Sequence, residues 1–303
     1  MATLQETNTQ PGSAAKEVKT EWRNVRLEVL EKIEDLPSFS SVVMEFMELT
    51  RQEFFSAKDF EAVICKDQAL VARLLKVANC GLYGRSRTIR SIPEAVVLIG
   101  LDNLKRIVYA VSSQGLMTKQ MTHYGYHEDQ GFWVHAMATG QAAKVLADAC
   151  PDAGVRAEEI FVAGLLHDVG KLVLDGFLGE RPHKQVSREM EISAVGLDHG
   201  ELAGHILKQW NIPLSITAPI SHHHDFRNGG EHRKAAAILA LARGVCREWK
   251  VGVQSPLDLS WEVPHDKFAE EMDEIGLTAD RWPGVVWNIQ QSLAGLEDLF
   301  ERM

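Results

Sequence analysis

The stretch AGLLHDVGKLVL, residues 163–174, sets the strongest condition on any fold of this chain. Without His167, Asp168 and Lys171 it reads as a buried apolar helix. Burying unpaired ionisable groups is costly, so these three must either face a polar cavity or be paired by the rest of the fold. Lys171 stands four residues after His167, on the same helical face. There its ammonium would neutralise a bound anion such as phosphate, or pair with Asp168. A phosphate loop is excluded. Five residues separate Gly164 from Gly170, where the motif needs four, and Leu172 stands where Ser or Thr would bind magnesium.

The surrounding sequence is helical in pattern nearly throughout, which predicts an all-α, multi-helix bundle. In SVVMEFMEL, Val42, Val43, Phe46, Met47 and Leu49 fall on one face. SAKDFEAVIC opens with Ser56 and has Asp59 three residues on, a capping-box start. DQALVARLLKVANCGLYG predicts a helix ending near Gly81. SIPEAVVLIG has Ser91, Pro93 and Glu94 at its start and Gly100 at its end, the usual punctuation. Asp102 then reads as the cap of LDNLKRIVYAVSSQGL. No alternating strand pattern is found, and VGVQSPLDLSWEVP, residues 251–264, reads as a loop. The predicted organisation is a polar, disordered tail over 1–20, an N-terminal helical subdomain over 21–115, a second helical subdomain over 116–250, and a C-terminal loop with helices over 251–303. In the last part Trp282, Val286, Ile289, Leu293 and Leu296 form an apolar stripe, expected to pack on the main body.

A net charge of −10 argues against nucleic acid or an anionic membrane as a partner, since both select basic surfaces. No apolar run is long enough for a transmembrane helix. The N-terminus lacks the basic start and apolar core of a signal peptide, so a cytoplasmic location is expected. Cys65, Cys80, Cys150 and Cys246 form no CxxC, and each sits in an apolar helical context. They are expected to be reduced core thiols rather than disulfides or a zinc cluster.

The chain has 12 histidines, and their contexts separate them. His123, His127, His183, His232 and His265 sit in polar, loop-like stretches and read as ordinary histidines. His205, six residues after His199, points elsewhere on its helix. His135 lies in the apolar helix FWVHAMATGQAAKVLA. His167 and Asp168 lie in the opening stretch, His199 in GLDHGELAGHIL, and His222, His223 and His224 in SHHHD. Imidazole and carboxylate together are the ligand set of zinc, iron, manganese and related divalent ions. In a bundle such ligands come from separate helices facing one cavity.

The order His, His-Asp-x-Gly-Lys, His, His-His resembles the HD superfamily of metal-dependent phosphohydrolases. It is most similar to that superfamily's signalling branch, the HDOD (HD-related output) domain. LPSFSSVVMEFMEL, DQALVARLLKVANCGLYG, SIPEAVVLIGLDNLKRIV and DHGELAGHILKQWNIPLSITAPISHHHD carry the likeness over about residues 33–245. The resemblance implies an HD-type bundle and a metal set of His135, His167, Asp168, His199, His223 and His224. Asp168 is the expected bridging ligand and His222 a spectator, unless a one-residue slip exchanges it with His224. The superfamily's closing aspartate falls here at Arg243. A guanidinium does not ligate a metal and repels one. The half-site of His135, His167 and the closing position is therefore expected to be crippled. The half-site of Asp168, His199, His223 and His224 should hold one divalent ion, whether iron, zinc, manganese or nickel.

Two functions follow from the resemblance. One is a signal-transduction module that binds a signalling protein or a small phosphorylated ligand, favoured by Arg243. The other is a metal-dependent phosphohydrolase or phosphodiesterase, with Asp168, Lys171 and Arg243 as catalytic groups, favoured by the six surviving ligand-type residues. Oxygen chemistry at a di-iron site is disfavoured by loss of the closing aspartate. The Gly-Tyr-Pro motif of cyclic-dinucleotide phosphodiesterases is missing from HHHDFRNGGEHRK, so that substrate is not implied. The sequence leaves the oligomeric state open.

Overall fold

The computed structural model describes residues 28–29, 31–33, 39–52, 54–79, 88–117, 121, 123–127, 131–178, 186–254 and 258–294. The expected tail over 1–20, Cys80, His183 and Leu296 lie outside them. The described residues hold fourteen α-helices and no strand, only an isolated bridge between Val251 and Gln254. None of these helices is long and apolar enough to cross a membrane.

Local punctuation sets the first helices. α1 (Ser41–Arg51) starts at Ser40, whose side chain accepts from Val43 N. It buries Val43, Phe46, Met47 and Leu49, with Val42 half-buried. α2 (Ala57–Ile64) carries the complete Ser56–Asp59 capping box. α3 (Gln68–Ala78) is capped by Asp67 and ends at Asn79. The Asn79 side chain exchanges two 2.8 Å hydrogen bonds with the Ile89 backbone, which ties this end to the next helix. α4 (Ile92–Ile99) runs from Ser91 to Gly100, at φ 86°.

α5 (Leu101–Met117) follows at once, so position 102 is already helical. Asp102 is not the expected cap; it pairs with Lys105 at 2.9 Å. Cys65 also departs from expectation. It sits at the end of α2 and is exposed, because the helix stops before its apolar face comes round again. Cys150 and Cys246 are buried.

α6 (Gly131–Ala149) is the central helix and is buried on nearly every side, as a helix apolar all round should be. α7 (Ala157–Leu166) crosses it where Gly140 meets Gly164. A Cβ on Gly164 would lie 2.5 Å from Gly140 Cα, so only glycine lets the two backbones come this close. The rest of the frame is α8 (Lys171–Leu174), α9 (Arg188–Val195), α10 (His199–Gln209), α11 (Leu214–His222) and α12 (Arg233–Glu248). Two short helices follow, α13 (Ala269–Ile275) and α14 (Trp282–Leu293).

α14 packs on α6, as the apolar stripe predicts. Its buried residues are Trp282, Val285, Ile289 and Leu293; Val286 is only half-buried. The buried apolar residues of the described helices form one continuous cluster.

Candidate metal centre

The opening stretch is not one helix. α7 ends at Leu166, a turn over 167–170 follows, and α8 starts at Lys171. The last carbonyls of a helix lack intrahelical partners. His167 exploits this, its Nδ1 donating to Gly164 O at 2.7 Å. The turn throws His167 and Asp168 into the interior while Val162, Leu165, Leu166, Val169 and Leu172 stay in the core.

Six residues from four places in the chain meet there. His135 comes from the middle of α6, His167 and Asp168 from the turn, His199 from the first position of α10, and His223 and His224 from the end of α11. Their ligand atoms form two triads, His135–His167–Asp168 and His199–His223–His224, each within 4.8 Å. Asp168 lies between the triads. Its Oδ1 is 3.2 Å from both His167 Nε2 and His199 Nε2, and its Oδ2 is 3.8 Å from His135 Nε2. His222 belongs to neither triad, nor do His123, His127, His205, His232 or His265. His123 bonds Asp175 at 3.0 Å instead.

Four rings are held by the nitrogen away from the centre. Besides His167, His135 Nδ1 donates to Val251 O at 3.2 Å, and His223 Nδ1 to Ile220 O at 2.6 Å. His199 Nδ1 donates to Glu191 Oε2 at 2.7 Å. A proton fixed on Nδ1 leaves Nε2 as a bare lone pair aimed inward, the usual outer support of a metal-bound imidazole. Burial pushes His135, His167, His223 and His224 below the ordinary histidine value, so these rings are neutral, the form that binds metals.

Asp168 is fully buried and stays ionised. Burial pushes its carboxyl up, but the Lys171 ammonium beside it holds it well below the usual carboxylate range. Lys171 Nζ donates to Asp168 Oδ2 at 2.6 Å and to the Tyr126 hydroxyl at 2.9 Å. Tyr126 donates to the same Oδ2 at 2.7 Å. Thus Oδ2 is saturated. Burial keeps Tyr126 a neutral phenol.

The opposite edge is not satisfied. Asp168 Oδ1, His167 Nε2 and His223 Nε2 are buried without a hydrogen-bond partner. With Nδ1 protonated, the His167–Asp168 contact sets acceptor against acceptor. His199 Nε2 and His224 Nε2 lie 2.9 Å apart, a hydrogen bond when His224 carries its proton on Nε2. The unpartnered lone pairs of Asp168, His167 and His223 are stable around a cation, and the donor set of imidazoles with one carboxylate suits zinc, iron, manganese or nickel. The residues fit a divalent metal.

Above the centre lies a cavity of about 820 Å³. Tyr124, Tyr126, Lys171, Glu191 and Arg243 line its depth. Arg243 points into it from α12, and its Nε has no hydrogen-bond partner. Its charge persists, since guanidinium does not deprotonate in proteins. Sequence reasoning missed Tyr126 and Glu191. Tyr126 lies in a polar loop with no periodic signal. Glu191 stands eight residues before His199 in an acidic helix, where it reads as a solvated charge.

The family model described as HDOD domain matches residues 36–226, more than half of the chain. This chain belongs to the HDOD family. A curated relative from Treponema pallidum, described as an uncharacterized protein, is 28% identical over 227 residues, 72% of this chain. The chain spans only 43% of that relative's length. Three crystal structures share the fold. An HDOD domain protein of unknown function from Geobacter sulfurreducens has a TM-score of 0.61 at 19% identity, over 89% of this chain and 99% of that one. A Shewanella amazonensis protein whose name proposes a phosphohydrolase has 0.64 at 19%, over 90% and 97%. A Marinobacter aquaeolei protein whose name proposes a role in signal transduction has 0.68 at 20%, over 93% and 66%. At these identities the likeness concerns the HDOD fold alone.

Proposed function

We propose that this HDOD protein is a signal-transduction module that holds one divalent metal and binds a small phosphorylated ligand above it. The reading rests on one observation: Asp168 Oδ1 and the inward Nε2 atoms of His167 and His223 lie buried without partners of their own, among the ligand atoms of the two triads and beneath a cavity that Lys171 and Arg243 line. Asp168, His199, His223 and His224 would hold the ion. When bound, the metal would supply Lewis acidity toward a phosphoryl oxygen. Glu191 orients His199, Tyr126 and Lys171 fix Asp168, and Arg243 offers charge to the anion. A second ion beside His135 and His167 would face the Arg243 guanidinium, which disfavours it.

Binding is favoured over turnover because the buried carboxylates are engaged. Asp168 Oδ2 is taken by Lys171 and Tyr126, and Glu191 by His199. Asp168 Oδ1 would be taken up by the metal, so no oxygen of the pair would be left to accept a proton from an attacking water. The second reading, a metal-dependent phosphohydrolase, is favoured by the two complete triads.

The deciding experiment is metal analysis of the full chain purified without chelator, followed by phosphate-ester turnover assays. The expected result is about one equivalent of metal, lost in Asp168→Ala, with phosphate binding but no turnover. Turnover that disappears in Asp168→Ala would establish the enzyme reading. Metal-free protein that takes up no added divalent ion would overturn both.

A further inference from the structure

The cavity mouth has a feature that the inner centre does not need. α12 and the turn after it place Arg243, Arg247 and Lys250 along one wall, running from the metal centre outward. Among the described residues no ion pair joins Arg243 or Arg247 to a carboxylate, while Lys250 lies over the Trp261 ring at 5.4 Å. Like charges four residues apart on a helix repel, and a buried guanidinium nitrogen without a partner is costly. In a chain with net charge −10, Asp168 and Glu191 act on Arg243 only beyond ion-pair distance, and Arg247 has no carboxylate at contact among the described residues. Arg188, on the facing wall, is already bound to Asp198 at 2.6 Å and adds no free charge.

Size points the same way. A cavity of about 820 Å³ falls in the range of sites for whole small molecules, roughly 300–1,000 Å³. One phosphate group would fill a small part of it. Successive cations on the helix are about 5–6 Å apart at Cβ, a spacing suited to consecutive phosphates.

We propose that Arg247 and Lys250 form a second anion subsite, so that the ligand is a small molecule bearing a di- or triphosphate. Its inner phosphate meets Arg243 over the metal centre and the next one meets Arg247 and Lys250. This rests on the phosphorylated-ligand reading above and specifies it.

The test is calorimetric titration of the metal-loaded full chain with orthophosphate and with pyrophosphate, free metal held constant and protein-bound metal measured afterwards. Pyrophosphate is expected to bind at least about tenfold more tightly than orthophosphate. Arg247→Ala/Lys250→Ala, at two exposed positions, should erase that excess while leaving the orthophosphate affinity within about twofold. Equal affinity for the two probes in the unaltered protein, or an excess that survives the double substitution, overturns the subsite. Binding of neither probe overturns the phosphorylated-ligand reading itself.

Discussion

Glu191 shows how one buried side chain organises a centre it does not enter. It is 1% exposed, and its carboxylate accepts from both the backbone N and the ring Nδ1 of His199. The ring is thereby fixed in orientation and tautomer. Glu191→Gln should weaken metal binding by about 10–100-fold with the fold intact, read by competition against a chromophoric chelator. Unchanged affinity would make Glu191 a packing residue. Asp168 and Lys171 form a second linked unit. Asp168→Ala leaves a buried ammonium without its anion and should cost about 3–5 kcal/mol in urea unfolding. Adding Lys171→Met should restore much of that loss without restoring metal. A double variant no more stable than Asp168→Ala would contradict the pairing.

At the scale of elements, the centre depends on a turn far from the His-Asp motif. Gly252 has φ 80° and lies directly against Gly131, where neither residue has room for a Cβ. Its carbonyl accepts from His127 N at 2.8 Å, and the adjoining Val251 carbonyl accepts from His135. Gly252→Ala meets both a left-handed backbone and a steric clash. It should cost more than about 1 kcal/mol and free the His135 ring, shown by a new imidazole resonance in NMR spectra. Full stability in this variant would mean that the turn is not seated on α6. The apolar C-terminal stripe predicts where α14 packs, and Trp282 anchors it, its indole donating to Val263 O at 2.8 Å. Trp282→Ala should cost about 3–5 kcal/mol by denaturant titration; a loss below about 1 kcal/mol would mean α14 is dispensable.

For the whole molecule, four neutral imidazoles, three buried and one half-buried, make the metal-free protein sensitive to acid. Burial holds the folded values of His135, His167, His223 and His224 below the unfolded value, which is about 6.5. Below about pH 6.5 the unfolded chain therefore binds more protons than the folded one. Stability is full above that value and falls as pH drops through it, by up to about 1.4 kcal/mol per pH unit for each imidazole. Asp168 adds to the acid sensitivity in the same direction but in a lower window, its depressed folded value giving stability that is lost only as pH falls below the ordinary carboxylate range. Urea midpoints of chelator-treated protein from pH 7.5 to 5.5 should decline with a slope of more than one proton; a flat profile would mean that these rings are not held neutral.

Helix positions and caps were legible in the sequence because they are local. The Ser56–Asp59 box and the Ser91-to-Gly100 unit need only near neighbours, and the apolar periods need only a core of some kind. The six candidate ligands were legible as a set through motif order. Asp102 and Cys65 were misread because a helix that begins or ends one residue away changes the role of its flanking position. What tertiary structure alone decided is how the set is supported: Tyr126 on Asp168, Glu191 on His199, Val251 on His135, and the cationic wall of α12. These partners lie between 8 and 116 residues apart in the chain, and their pairing follows from helix crossings such as Gly140 on Gly164. Local pattern specifies which residues turn inward. The close approach of separate helices specifies which of them meet, and so which polar atoms keep a lone pair free for a cation.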